Sequence, residues 1–96
     1  MASPESLNAA LMRAVDLALA GDWDGAHKIV QKDEDDQTSC WIHAVLHKIE
    51  GDAANSRYWY GRASHGRASH GPKARTFEDC ADPRAELAAI RGQLAG

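Results

Sequence analysis

The stretch SCWIHAVLHK, residues 39–48, carries one cysteine and two histidines at helical spacing. Cys40, His43 and His47 stand at positions i, i+3 and i+7, which lie within about 60° of one another when a helix turns about 100° per residue. Thiolate sulfur and imidazole nitrogen are preferred protein ligands of Zn²⁺ and Cu²⁺. The spacing therefore predicts a metal site on one face of a helix, nearly opposite the apolar stripe of that helix.

A fourth ligand for such a site is available from either of two residues elsewhere in the chain, His27 or Cys80. The zinc-protease version of the two-histidine motif has a glutamate directly after the first histidine, whereas this chain has Ala44 there. The alternative interpretation is a polar packing face on which Cys40 acts as a small apolar residue. Both interpretations stay open on the sequence alone.

No arrangement of residues predicts an enzyme. The chain lacks a Gly-x-Ser-x-Gly elbow, a glycine-rich phosphate loop and a pattern of paired catalytic carboxylates. If Cys40 were a nucleophile and His43 its base, a third group would be needed to orient the histidine. No such group is recognisable in the sequence. We therefore expect a non-enzymatic protein without a cofactor, unless the Cys40/His43/His47 face binds a metal.

A basic segment forms the second candidate site. Residues 53–77 contain no acid, although the net charge of the whole chain is −3. The bases in this segment are Arg57, Arg62, Arg67, Lys73 and Arg75. Arginines interleaved with aromatic residues are typical of surfaces that bind single-stranded nucleic acid or other anions. Trp59 and Tyr60 are predicted to face the core, however, so a nucleic-acid partner is disfavoured. The alternative is charge pairing within the protein or between copies of it.

Helix start and stop signals divide the chain into a small all-α domain. A Gly-Asp pair stands at 21–22 and again at 51–52, and Asp82-Pro83 opens a final helix. We predict one domain over residues 1–96, with a first helical hairpin at about 4–32 and a second at about 39–64. A loop at about 65–82 then leads to a C-terminal capping helix at about 83–95. Thr38 or Ser39 is the expected cap of the third helix, after a solvated acidic connection at 32–37.

The two predicted hairpins match each other when the chain is shifted by 30 residues. The shift superimposes the two Gly-Asp turns, the apolar face of each first helix, and a small residue of each second helix, Ala26 and Ser56. The segments GDWDGAHKIV and GDAANSRYWYGRA resemble the turn and second helix of tetratricopeptide-type repeats. The resemblance covers residues 8–63 and implies a short helical solenoid that presents a surface to protein partners. The chain departs from that family in its 30-residue period and in having only two units.

An interaction module is the function that this pattern favours. Stacked repeats with an open end are stabilised by a neighbour, so self-association as a homodimer is expected beside an unidentified protein partner. No apolar run approaches the roughly 20 residues that a membrane span needs, and the first residues lack a signal-peptide pattern. These observations predict a cytoplasmic protein without a membrane segment.

The sequence also repeats the pentapeptide GRASH, at 61–65 and 66–70. The first copy fits the end of the fourth helix. The second copy is out of phase with it, because five residues turn a helix by about 500°. We expect the second copy to be a loop or an out-of-register extension, whose deletion leaves the fold intact.

Overall fold

The structure of the protein, a computed structural model, describes residues 4–65, 77–79 and 81–95. Five α-helices and no β-strand lie in this part of the chain, which confirms the all-α class. The helices are α1 (Pro4–Leu19), α2 (Trp23–Val30), α3 (Gln37–Glu50), α4 (Ala53–His65) and α5 (Pro83–Ala95), with a short 3₁₀ turn at Phe77–Asp79. None of the helices so described is long and apolar enough to cross a membrane.

Glycine and aspartate separate consecutive helices as the sequence predicts. Gly21 and Gly51 have φ angles of 91° and 86°, in the left-handed region that glycine adopts without strain. The carboxylate of Asp22 accepts a hydrogen bond from the backbone N–H three residues later, and Asp52 does the same at the start of α4. Each Gly-Asp pair thus ends one helix and caps the next.

The third helix begins earlier than the sequence analysis predicts. It starts at Gln37 instead of about residue 40, and its cap is Asp36 instead of Thr38 or Ser39. The Asp36 carboxylate accepts a hydrogen bond from the Ser39 backbone N–H at 2.8 Å. Aspartate is at least as good a cap as serine or threonine, so the last acid of the predicted solvated connection starts the helix.

Helix α3 lies at the centre of the packing. The other four helices surround it, with α1, α2, α4 and α5 all in contact with it. The consecutive residues 39–47 are therefore all buried. Over these residues the face opposite the apolar stripe is therefore also covered by neighbouring helices. Cys40, His43 and His47 lie inside the protein.

One small residue on each of α2 and α4 is completely buried in the helix packing. Ala26 of α2 and Ser56 of α4, which superimpose in the 30-residue comparison, are both completely buried. The Ser56 hydroxyl also donates a hydrogen bond to the Ala44 carbonyl oxygen at 2.7 Å. The hydroxyl is thereby satisfied where α4 meets α3, as a buried polar group requires.

A buried carboxylate joins α3, α4 and α5. Glu86, with 2% of its surface exposed, accepts hydrogen bonds from Trp41 Nε1 at 2.7 Å and from the Tyr60 hydroxyl at 2.7 Å. The Lys48 ammonium forms an ion pair with the other Glu86 oxygen, with Nζ and Oε1 3.0 Å apart. A buried charge that keeps such partners is tolerated, whereas one that loses them destabilises the fold strongly.

Most of the predicted loop at 65–82 lies outside the described residues. So does the second GRASH copy at 66–70, together with Cys80. The predictions made for these residues remain predictions.

Candidate metal centre

Helix α2 is fixed against α3 at both of its ends. Trp23, the first residue of α2, donates a hydrogen bond from its indole Nε1 to the Leu46 carbonyl oxygen at 2.6 Å. At the other end the Ser39 hydroxyl donates to the Val30 carbonyl oxygen at 3.1 Å. These two contacts hold the middle of α2, where His27 lies, beside the middle of α3.

Three histidines meet where α2 lies beside α3. His27 of α2 and His43 of α3 approach through their Nε2 atoms, which are 3.0 Å apart. His47 lies one turn after His43, with the two rings stacked at a centroid distance of 5.0 Å. One ring nitrogen from each histidine lies within 4.8 Å of one from each of the other two. We call His27, His43 and His47 the histidine cluster.

Two indole rings enclose the histidine cluster. Trp23 stacks on His27 with ring centroids 4.5 Å apart, and Trp59 of α4 stacks on His43 with centroids 3.8 Å apart. His43 and His47 have only 3% and 8% of their surface exposed, whereas His27 is half-buried. His27 is therefore the most exposed ring of the cluster.

Burial keeps two of the three imidazoles neutral. Burial, together with the charges that His27 and His47 would carry, lowers the pKa of His43 to about 3. The pKa of His27 is also lowered, first by burial and then by His47. At neutral pH both rings therefore keep a nitrogen lone pair, the form of histidine that binds metals.

The distances within the histidine cluster suit a transition-metal ion. Zinc–nitrogen bonds of 2.0–2.1 Å in a tetrahedron place two ligand nitrogens about 3.3 Å apart. The separation of 3.0 Å between Nε2 of His27 and Nε2 of His43 is already close to that value. The remaining separations lie within 4.8 Å, so small side-chain movements complete a three-nitrogen site.

A second group of candidate ligand atoms adjoins the cluster and shares one of its histidines. It consists of His47, Glu50 and Asp52. Here His47 Nδ1 lies 2.6 Å from Glu50 Oε2. The two oxygens of Asp52 accept hydrogen bonds from the backbone and side-chain amides of Asn55, at 3.2 Å and 2.8 Å. The Asp52 carboxylate thus serves as the cap of α4.

Cys40 does not lie in the histidine cluster, although the sequence analysis placed it on the same helix face. Its Sγ donates to the Glu34 carbonyl oxygen at 3.0 Å, in the connection between α2 and α3. Burial raises the pKa of the thiol, partly offset by the nearby Arg62. A protonated thiol is a poor metal ligand, since the thiolate is the form that binds. The structure brings His27, proposed only as a fourth ligand, into the place expected for Cys40.

The basic segment is described only in part. Arg57 pairs with Glu78 at 2.7 Å, and Arg62 donates to the Glu34 carbonyl oxygen at 2.7 Å and approaches Asp35 at 3.5 Å. Both described arginines therefore have acceptors within the protein. Arg67, Lys73 and Arg75 lie outside the described residues, and anion binding by this segment remains a prediction.

Sequence reasoning missed the two indoles of the site. Trp23, Trp41 and Trp59 each lie on the apolar stripe of a predicted helix, which predicts three core residues. Trp41 is buried in the core, whereas Trp23 and Trp59 are partly buried and pack against it. The usable signal is the pair Trp23 and His27, which stand four residues apart on α2 and therefore share a face.

Comparisons of this chain with protein-family models, curated proteins and solved structures gave no match. The resemblance to tetratricopeptide-type repeats therefore remains a prediction from sequence.

Proposed function

We propose that the protein binds one divalent transition-metal ion through His27, His43 and His47. The observation that carries this proposal is the convergence of three imidazoles from two helices, with one nitrogen of each within 4.8 Å of the others. Nitrogen ligands without thiolate favour Zn²⁺, Cu²⁺ or Ni²⁺ over Cu⁺, which prefers sulfur, and over Mg²⁺ or Ca²⁺, which prefer oxygen.

An unsatisfied nitrogen adds support. The contact between Nε2 of His27 and Nε2 of His43 is at most one hydrogen bond, and the buried His43 Nδ1 has no hydrogen-bond partner. Leaving such a group unsatisfied costs about 1–3 kcal/mol. A metal ion bound at Nε2 of His43 would offset this cost. Metal binding therefore gives a reason for a buried imidazole with one unbonded nitrogen.

Titration of the metal-free 96-residue chain with Zn²⁺, followed by calorimetry, tests the proposal. We expect one saturable site in the wild-type protein. His27→Gln is the most informative variant, because His27 is half-buried and its replacement disturbs the core least. This variant and His47→Gln should both bind Zn²⁺ at least tenfold more weakly.

The matched control is the double variant His65→Gln/His70→Gln, which removes two histidines and leaves the histidine cluster intact. It should bind Zn²⁺ as the wild type does. Loss of binding in this control with retention in His27→Gln would refute the proposal, since the site would then lie in the repeated GRASH segment. Circular dichroism of each metal-free variant checks that it is folded.

A helical interaction module, the function expected from the sequence repeat, remains a prediction beside the metal site. The large apolar side chains that are exposed among the described residues are Ile49, at 43%, and Tyr58, at 55%. Sedimentation over a wide concentration range tests the homodimer part of this prediction. A mass that rises with concentration supports it, and a monomer throughout contradicts it.

A further inference from the structure

His47, one ligand of the proposed metal site, is in hydrogen-bonding contact with a carboxylate. His47 Nδ1 and Glu50 Oε2 are 2.6 Å apart, in the last turn of α3. The His47 side chain is 10% exposed and the Glu50 side chain is 39% exposed. A separation this short is typical of a charge-assisted hydrogen bond, in which a ring N–H donates to an ionised carboxylate.

This hydrogen bond determines where the imidazole carries its proton. A carboxylate oxygen only accepts, so the proton lies on Nδ1 of a neutral His47 ring. The lone pair is then on Nε2, the nitrogen left for a metal. Metal-binding histidines commonly donate their other N–H to a carboxylate in this way, which fixes the tautomer and makes the ring a stronger ligand.

Asp52 and His43, which lie near His47, do not form the same kind of carboxylate–histidine pair. Asp52 accepts two hydrogen bonds from Asn55 as the cap of α4. A metal bound by Glu50, Asp52 and His47 Nδ1 would have to replace these hydrogen bonds and the contact between His47 and Glu50. His43 differs from His47 in having no partner at its Nδ1. The support of a carboxylate is thus specific to His47 among the buried histidines of α3.

We propose that Glu50 is a positioning residue, which holds His47 in the Nδ1–H tautomer and thereby strengthens metal binding at the histidine cluster. This inference rests on the proposed function. Glu50 acts through His47 and does not itself touch the ion.

Three variants of the 96-residue chain test this role. Glu50→Ala removes the acceptor and should weaken Zn²⁺ binding by about 10- to 100-fold. Glu50→Gln loses the charge but keeps an oxygen that accepts from Nδ1–H, so it should recover part of that affinity. Asp24→Asn is the control for charge, because Asp24 influences His27 only through its electric field. It should change the affinity less than threefold.

Nitrogen chemical shifts of the histidine rings in the metal-free protein provide a readout that a general loss of stability would not mimic. His47 should be in the Nδ1–H form in the wild type and shift towards the Nε2–H form in Glu50→Ala. The proposal is overturned if wild-type His47 carries its proton on Nε2, or if Asp24→Asn weakens binding as much as Glu50→Ala. Undiminished binding by Glu50→Ala would overturn this inference alone, whereas a wild type that binds no Zn²⁺ would overturn the proposed function with it.

Discussion

The indole of Trp59 lies flat against the imidazole of His43, with ring centroids 3.8 Å apart and planes inclined by 12°. The contact joins α4 to α3 and shields the histidine from water. Burial of this kind penalises the charged form of the ring and, together with the neighbouring His27 and His47, lowers the pKa of His43 to about 3. A residue of α4 thus helps to set the protonation state of a ligand on α3.

The metal-free fold should lose stability as the pH falls from about 6.5 to about 3. The unfolded chain protonates His43 near its ordinary pKa of 6.5, whereas the native protein does so only near 3. Between these values the unfolded state binds more protons, so the free energy of unfolding decreases by up to about 1.4 kcal/mol per pH unit from this group. Above pH 7 the group contributes no pH dependence. Denaturant unfolding at a series of pH values, with a chelator present, measures the slope.

His43→Gln is the control for this prediction, because glutamine does not titrate. Its unfolding free energy should depend less on pH between about 6.5 and 3 than that of the wild type. An identical slope in the two proteins would show that other groups cause the acid sensitivity.

The helical architecture could be predicted from sequence because its signals are local. Gly21 and Gly51 take left-handed φ angles, and Asp22 and Asp52 cap the helices that follow, as their positions in the sequence indicate. The start of α3 could not be placed correctly, because Asp36 is one acid in a run of acids. Nothing local distinguishes the acid that becomes the cap from its neighbours.

The composition of the site could be predicted only in part, for a physical reason. A helical wheel shows which residues share a face, and it correctly grouped His43 with His47. It contains no information about which helix covers that face. His27 reaches the cluster because contacts of Trp23 and Val30 fix α2 against α3. Cys40 instead donates its thiol hydrogen to the Glu34 carbonyl oxygen, which belongs to the preceding connection.

Saturating Zn²⁺ should stabilise the protein, chiefly by linking α2 to α3. Binding to the native state alone adds about 2.7 kcal/mol when free Zn²⁺ is 100 times the dissociation constant. Amide hydrogen exchange should slow most in α2, which is the shorter of the two helices and has His27 in its middle. The same experiment on His27→Gln should show little change. Equal protection of α5 and α2 would contradict a site between α2 and α3.

Cu²⁺ should quench the fluorescence of two tryptophans more strongly than that of the third. Trp23 and Trp59 stack on cluster histidines, whereas the Trp41 indole bonds to Glu86. Titration of Trp41→Phe should therefore show a larger fractional loss of emission than titration of the double variant Trp23→Phe/Trp59→Phe. Equal fractional quenching in the two proteins would be inconsistent with metal at the histidine cluster.

Glu86→Ala should be strongly destabilising, by about 3–5 kcal/mol, because it leaves the Lys48 ammonium buried without its carboxylate. Denaturant unfolding measures this effect. Glu78→Ala is the matched control, since it breaks an exposed ion pair with Arg57 and should cost about 0–1 kcal/mol. Similar losses in the two variants would refute the role of Glu86 as the buried junction of α3, α4 and α5.

X-ray absorption at the zinc edge of the Zn²⁺-loaded protein tests the identity of the ligands most directly. Coordination by His27, His43 and His47 predicts nitrogen or oxygen neighbours at about 2.0–2.1 Å, with the multiple-scattering pattern of imidazole rings. The pattern should weaken in His27→Gln and stay unchanged in the double variant His65→Gln/His70→Gln. A sulfur neighbour at about 2.3 Å would contradict the three-histidine site and return Cys40 or Cys80 to the ligand set.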